Sequence, residues 1–286
     1  VPVPQQIKFN VYDDTTKTQL LTDDEIKELE KQGILVTIPG VSDQVVIKGQ
    51  VSDKLAALKS YYLAKGYKFV SDDLDQLADR YDNTDNATNN VAITDPNDDQ
   101  VPQVVTLHIA HDIALDKQVK SVTRTINYYD ENEHQLISDV HHPGITITEP
   151  GTKTQTVNFN RYAVYDKVTH ELLGYASSDQ VNGNALITTD GYIHDTDPNS
   201  VAGYVADGNF AEVDNYDLSK YGYTGPTDEQ HQKMAKVASA AADVNKAQTI
   251  VNVYYQHATT NTENDKSITR TINVHKPTGQ TEQVLQ

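Results

Sequence analysis

The stretch KSVTRTINYYD (Lys120–Asp130) returns 146 positions later as KSITRTINVHK (Lys266–Lys276). The match extends backwards. VVTLHIAH (Val104–His111) and IVNVYYQH (Ile250–His257) align at the same offset, setting Val105 against Val251, Leu107 against Val253, Ile109 against Tyr255 and His111 against His257. In the first copy Val122, Arg124, Ile126 and Tyr128 alternate with Thr123, Thr125, Asn127 and Tyr129, the period of a strand with one face buried. What repeats is therefore a junction: a strand, a polar stretch, then a new strand. Its meaning is architectural, and it marks where one module hands over to the next.

Weaker echoes lie on either side of the junction. FNVYDD (Phe9–Asp14) resembles INYYDE (Ile126–Glu131), and YLAKGYKF (Tyr62–Phe69) resembles YDLSKYGY (Tyr216–Tyr223) with one residue inserted. Three modules are expected: residues 1–114, residues 115–260, and the start of a third over 261–286. In the first, Ile7, Phe9 and Val11 alternate as a strand, and ILVTIPG and QVVIKGQV read as strands bounded by Gly and Pro. TDDEIKELEKQG reads as a short helix with Thr22 as N-cap, Glu25 completing a capping box and Gly33 as stop. A second helix is predicted from Ser52 to Gly66 through the spacing of Leu55, Leu58 and Tyr62. The second module reads as strands, with one helix predicted over Thr227–Ala247 from a Thr227…Gln230 box and its alanine content. The expected class is α+β: tandem β-rich, β-grasp-like modules, joined by the polar linkers DIALDKQV and ATTNTEND into an elongated rod.

Composition narrows the function. The 286 residues carry a net charge of −18, a poor match for nucleic acid or an anionic membrane. With no Cys, disulfides, thiolate metal sites and Cys nucleophiles are excluded. No apolar run approaches the roughly 20 residues that span a bilayer. The chain opens on Val1 and reads as a piece of a longer protein. Seventeen Tyr stand against four Phe and no Trp, a bias that suits half-buried strands as well as sugar or protein recognition.

TRTINYYDENEHQL, YDLSKYGY and TIVNVYYQH resemble the mucin-binding (MucBP/Mub) repeats of adhesins from lactic acid bacteria. The resemblance implies a β-grasp-like first module and a mucin-binding second module. It also implies an extracellular place on a bacterial surface, attached to the cell wall through other regions. Host mucin glycoproteins are the implied partners, with immunoglobulins as alternative partners. It supplies no catalytic residues.

No enzyme is expected from the residues either. HELLG (His170–Gly174) lacks the second His of a zinc-protease helix, and His141-His142-Pro143 reads as a solvated turn. DTDPNS sets Asp195, Asp197 and Asn199 at the first three ligand positions of a calcium loop, but Ser200 replaces the turn glycine and Ala206 the closing Glu. No cofactor is required, and calcium is the one ion the pattern admits. DNTDN (Asp82–Asn86) and DPNDDQ (Asp95–Gln100) are similar polar clusters, and Asn86-Ala87-Thr88 matches a glycosylation acceptor. For ligand binding the candidates are Tyr175, Tyr192, Tyr204, Asn182 and Asn184, in the Tyr- and Asn-rich loops of the second module.

Overall fold

In the computed structural model the described residues are 7–34, 37–38, 48–76, 79–81, 92–93, 103–133, 135–136, 152–181, 184–185, 191–263 and 265–272. The chain forms two compact units. Val1–Arg124, Gln155–Ala211 and Ala240–Thr249 make the first; Thr125–Thr154, Glu212–Ser239 and Ile250–Gln286 make the second.

Strand β1 (Ile7–Asp13) buries Ile7, Phe9, Val11 and Asp13 and turns the residues between them outward. It pairs antiparallel with β2 (Thr18–Gln19). Helix α1 (Asp23–Lys31) follows; the Thr22 hydroxyl accepts from the Glu25 N–H at 3.3 Å. Only half of the expected box forms. The Glu25 carboxylate turns instead to the Tyr62 hydroxyl at 3.2 Å and Lys65 at 3.4 Å. Strand β3 (Thr37–Ile38), inside the expected ILVTIPG strand, pairs with β1. Helix α2 (Lys48–Ala64) starts earlier than the sequence suggested and takes up the end of QVVIKGQV as helix. Val51 lies one turn before Leu55, so the buried stripe Val51, Leu55, Leu58, Tyr62 carries the helix back past Ser52. Strand β4 (Tyr67–Asp72) leads to a short pair, β5 (Asp79–Tyr81) with β6 (Ala92–Ile93), and then to β7 (Gln103–His111).

The first sheet runs β2-β1-β7-β4, with β3 on β1. Its two central strands are parallel, Phe9 against Val105 and Val11 against Leu107, and β4 runs antiparallel to β7. Parallel neighbours require a crossover. Here α2 lies in that crossover and buries its stripe with Phe9, Val105, Leu107 and Leu29 in one core. The mixed sheet with a helix across its parallel pair is a β-grasp-like plan.

The polar linker expected over Asp112–Val119 is strand from Ile113 onward, and Asp112 alone separates β7 from β8. β8 runs unbroken from Ile113 to Tyr129, and Val122, Arg124, Ile126 and Tyr128 are its buried residues, as the alternation indicates. Next come β9 (Thr152–Asp166), β10 (Leu172–Ala176), the pair β11 (Gln180–Val181) with β12 (Asn184–Ala185), β13 (Val205–Ala206), β14 (Val213–Asp214), β15 (Tyr223–Thr227), β16 (Lys236–Val237) and β17 (Gln248–His257). The second sheet has the order β10-β9-β8-β17-β15, with β13 on β9. In the first unit Val122, Val157, Phe159 and Phe210 cluster. The second unit buries Ile126, Tyr128, Leu136, Leu218, Val253 and Tyr255 together.

The helix expected over Thr227–Ala247 does not form. Thr227 ends β15, Asp228 Oδ1 captures the Gln230 and Gln232 N–H groups, and His231 takes φ 61°. Beyond the loop, β16 pairs with β14, and Ala240 exchanges two backbone hydrogen bonds with Phe210. Non-local pairing has overridden alanine's helix propensity. The second KSxTRTIN copy also differs from the first. Residues 265–271 form no strand, and Ile268, the counterpart of fully buried Val122, is 92% exposed. A strand's apolar face is sheltered by its neighbours, and β9 and β17 flank only the first copy. Among the described residues no helix is long and apolar enough to cross a membrane.

Burial makes the two copies separable by mutation. Ile126→Ala is expected to cost about 2–5 kcal/mol in denaturant unfolding, whereas Ile268→Ala stays within about 0.5 kcal/mol of the wild type.

Candidate functional site

In the second unit β8 and β17 turn the opposite parity outward. Asn127 and Tyr129 come from β8, Asn252 and Tyr254 from β17, and all four are half-buried. The Asn127 amide donates to Asn252 Oδ1 at 3.2 Å, and the Asn252 amide donates to Glu229 Oε1 at 3.4 Å. The Tyr129 and Tyr254 rings stack with centroids 5.8 Å apart and planes 26° from parallel. Together they form a ledge of two amides and two aromatic faces.

A loop walls this ledge. Gly225 lies at φ 113°, and a Cβ there would stand 2.9 Å from the Tyr254 carbonyl oxygen. Only glycine allows both the backbone angle and the close approach. The Thr227 hydroxyl donates to that same carbonyl at 3.4 Å, and the Asp228 cap carries the chain through Glu229 to His231. A cleft of about 370 Å³ adjoins the ledge, sharing Tyr254 and Glu229 with it. Carboxylates dominate its lining: Asp130, Glu131, Glu133 and Glu229, with His231 and the Tyr254–Gln256 edge of β17 completing it. Burial, and then the Glu229 charge, raise the Tyr254 hydroxyl above its ordinary pKa. At the end of the cleft Glu131 accepts the His257 backbone N–H at 3.2 Å and also bonds the His257 ring. Burial pushes the Glu131 carboxyl up, but the bonds from His257 and from its own backbone outweigh that and hold it below the usual carboxylate range.

The sequence pointed elsewhere. Tyr175 is 1% exposed; its hydroxyl donates to the Asp197 carbonyl at 2.9 Å and its ring covers the Arg161 guanidinium at 3.5 Å. Tyr204 lies against the same guanidinium at 4.2 Å, and Tyr192 is half-buried beside His194. Tyr175 and Tyr204 thus sandwich a buried cation, and buried Tyr175 presents no surface to a ligand. Asn182 lies outside the described residues, and of Asn184 only its place in β12 is described. His141–Pro143, the Asp82–Asn86 and Asp95–Gln100 clusters and the Asn86 acceptor also lie outside them. Asp195 Oδ1 caps the Asp197 N–H and Asp197 Oδ1 caps the Asn199 N–H, so the calcium candidates serve consecutive turns. Among the described residues no three His, Cys, Asp or Glu side chains gather as a metal site.

A second polar cluster lies in the first unit. His111 Nδ1 meets Asp166 Oδ2 at 2.6 Å, and its Nε2 meets Asp13 Oδ2 at 3.0 Å; the three side chains are 9%, 10% and 1% exposed. Asp166 also caps the Val168 and Thr169 N–H groups. Burial raises the Asp166 carboxyl, but the His111 ring and those two N–H groups prevail and leave it below its ordinary pKa.

The chain matches no protein-family model and no curated protein sequence. Solved structures do align with it. Mub-RV aligns at 18% identity over 89% of this chain and 100% of that one, with a TM-score of 0.45. The type 2 repeat of the mucus binding protein MUB from Lactobacillus reuteri aligns at 15% identity over 88% and 99%, with a TM-score of 0.36. The MucBP domain of the adhesion protein from Pediococcus pentosaceus aligns at 19% identity over 49% and 99%, with a TM-score of 0.28. These are similarities across a distance at which each protein's ligand remains its own.

Acid sensitivity checks the first-unit cluster. Asp166 has a depressed folded pKa, so its contribution is present above the unfolded value of about 4 and is lost as pH falls through the lower folded value. Asp166→Asn is expected to cost about 1–3 kcal/mol at neutral pH and to flatten the decline of melting temperature between about pH 4 and 2. Calcium at millimolar concentration is expected to leave the melting temperature unchanged, because the capping oxygens of Asp195 and Asp197 are already engaged; a saturable rise would place an ion there.

Proposed function

We propose that the chain is a non-enzymatic adhesin repeat that acts outside a bacterial cell and presents the Tyr129–Tyr254 ledge to mucin-type glycans. The ledge is the observation that carries this reading. The apolar face of a sugar ring packs on an aromatic side chain, while its hydroxyls need amide and carboxylate partners at fixed positions. Tyr129 and Tyr254 offer the first, and Asn127, Asn252 and Glu229 the second. Four carboxylates around the cleft repel sialic acid or sulfate, so uncharged glycan ends are the ligands of choice. The chain's charge of −18 adds no long-range attraction. Single contacts of this kind are weak, and strength comes from many modules bound along one array. In this reading residues 1–114 and 115–260 are successive modules of a surface rod, and 261–286 begin the next. Mucin as the ligand follows the resemblance carried by TRTINYYDENEHQL, and wall attachment belongs to other regions.

One observation favours a second reading. Among the described residues β4 is an end strand of the first sheet, and it leaves Phe69 and Val70 each 45% exposed. An immunoglobulin or another protein could add a strand there.

Binding of the full chain to mucin-coated surfaces and to an array of uncharged and sialylated glycans separates these readings. Tyr254→Ala is expected to weaken mucin binding about tenfold, the effect of losing one central aromatic contact, with circular dichroism unchanged. Stripping the glycans from the mucin is expected to abolish binding. If stripped mucin or immunoglobulin is retained and Tyr254→Ala binds like the wild type, the ledge reading fails and strand addition at β4 takes its place. Binding to none of these ligands leaves a spacer.

A further inference from the structure

The ledge of the second unit holds a hydrogen-bond chain whose direction is fixed at one end. Asn127 Nδ2 donates to Asn252 Oδ1 at 3.2 Å, and Asn252 Nδ2 donates to Glu229 Oε1 at 3.4 Å. An amide side chain can meet a neighbour with either end, because it carries two N–H donors and a carbonyl acceptor. An ionised carboxylate only accepts. Asn252 must therefore turn its NH2 group to Glu229, which leaves its oxygen for Asn127. Asn127 must in turn offer an N–H, and its own oxygen is left over. Asn127 Oδ1 takes part in no hydrogen bond among the described residues.

The amides lie in step with the rings. Asn127 precedes Tyr129 by two residues on β8, and Asn252 precedes Tyr254 by two on β17. Each amide thus shares its strand face with a ring about 6.6 Å further along. A sugar ring laid on the stacked Tyr129 and Tyr254 brings its edge substituents to the amide pair. Glu229 comes from the loop that Gly225 and the Asp228 cap hold against the Tyr254 backbone. That loop does more than wall the ledge: it sets which end of each amide a ligand meets.

We propose, on the reading of the ledge as a glycan site, that Glu229 is its specificity-determining residue. Acting through Asn252, it holds Asn127 with the oxygen open, so the ledge selects neutral sugars that bring a hydroxyl hydrogen to Asn127 Oδ1 and rejects those that can only accept there. Glu229 need not touch the sugar to do this; it is a positioning residue, two hydrogen bonds away from the oxygen it exposes. Its negative charge strengthens the bond from Asn252, and bonds in such a chain polarise one another. Glu229→Gln keeps the shape and removes the constraint. The group at the head of the chain then both donates and accepts, so Asn252 can turn over, and Asn127 with it.

Two measurements on the full chain test this. The first needs no ligand. In NMR spectra of the side-chain amides, wild-type Asn127 is expected to give one set of signals. Glu229→Gln, which changes the partner of Asn252 and not that of Asn127, is expected to shift those signals or split them in two. The second titrates methyl β-galactoside, methyl β-glucoside and their monofluoro derivatives, in which fluorine replaces one hydroxyl and cannot donate. Against the wild type, fluorine at one ring position is expected to weaken binding about five- to tenfold, the effect of one lost hydrogen bond. Against Glu229→Gln the same derivative is expected to bind within about twofold of its parent. Asn127 signals that stay in place in Glu229→Gln, or a fluorine penalty that this variant retains, overturn the proposal and leave the ledge standing, provided Tyr254→Ala still weakens the parent sugars. If neither parent sugar binds the wild type at about 10 mM, or Tyr254→Ala binds both as the wild type does, the ledge reading fails and this proposal falls with it.

Discussion

Two buried guanidinium groups hold the irregular part of the first unit in place. Arg124 and Arg161 are 2% and 3% exposed. A buried cation must be fully hydrogen-bonded or its desolvation is ruinous. Arg124 takes Gln155 Oε1 and the Ala211 carbonyl; Arg161 takes Gln118 Oε1 and the carbonyls of Ser200 and Ala202. Those carbonyls belong to residues 200–211, a stretch paired only through the two residues of β13 and the Phe210–Ala240 bridge. Each arginine also lies over aromatic rings, Phe210 for Arg124 and Tyr175 with Tyr204 for Arg161. A loop with little backbone pairing of its own thus gets its acceptors satisfied and its aromatic rings ordered by side chains reaching out from strands.

That dependence explains which parts of the fold could be read from the sequence. Period two in KSVTRTINYYD is a local property, so it separated the two faces of β8, and packing decides that the Arg124 face is the buried one. The Thr22 cap and the Leu55–Leu58–Tyr62 stripe are local too. The extended path through Thr227–Ala247 is not. It is set by β16 pairing with β14 and by Ala240 pairing with Phe210, partners 22 to 24 and 30 residues distant. Alanines that signal helix when nothing else acts become spacers once the backbone hydrogen bonds go sideways. The first half of β8 misled for the opposite reason. Asp116 and Lys117 are exposed on a strand that is strand only because of its neighbours, and polar exposed residues look like linker.

The site was hidden in the same way. Tyr129 and Tyr254 are 125 residues apart in the chain, and nothing local links them; the one available signal was their shared outward parity on strands of the repeated junction. The Tyr- and Asn-rich loops drew notice by composition, but composition does not separate a ring presented to solvent from a ring wrapped round an arginine. Tyr175 shows the second outcome. Its hydroxyl and its ring are both committed to the protein, and so its chemistry is spent inside the fold.

The repeat itself acquires a sharper physical meaning from the two histidines. Recurrence of a strand sequence alone would signify only duplicated packing. Here the duplication preserves features that packing does not require: a glycine with positive φ next to a tyrosine (Gly66 and Tyr67, Gly222 and Tyr223), a histidine opposite that tyrosine (His111, His257), and an acid on the histidine (Asp13, Glu131). Gly66 needs its missing side chain because Lys167 lies on it. Gly222 has open space above it, so no neighbouring atom demands glycine there, although its φ of 81° favours one. A turn ending in tyrosine could be built in many ways, and this one reproduces the carbonyl that the residue after histidine caps. The backbone geometry at Gly66 is thus repeated at Gly222, whereas the second KSxTRTIN copy forms no strand over its described residues.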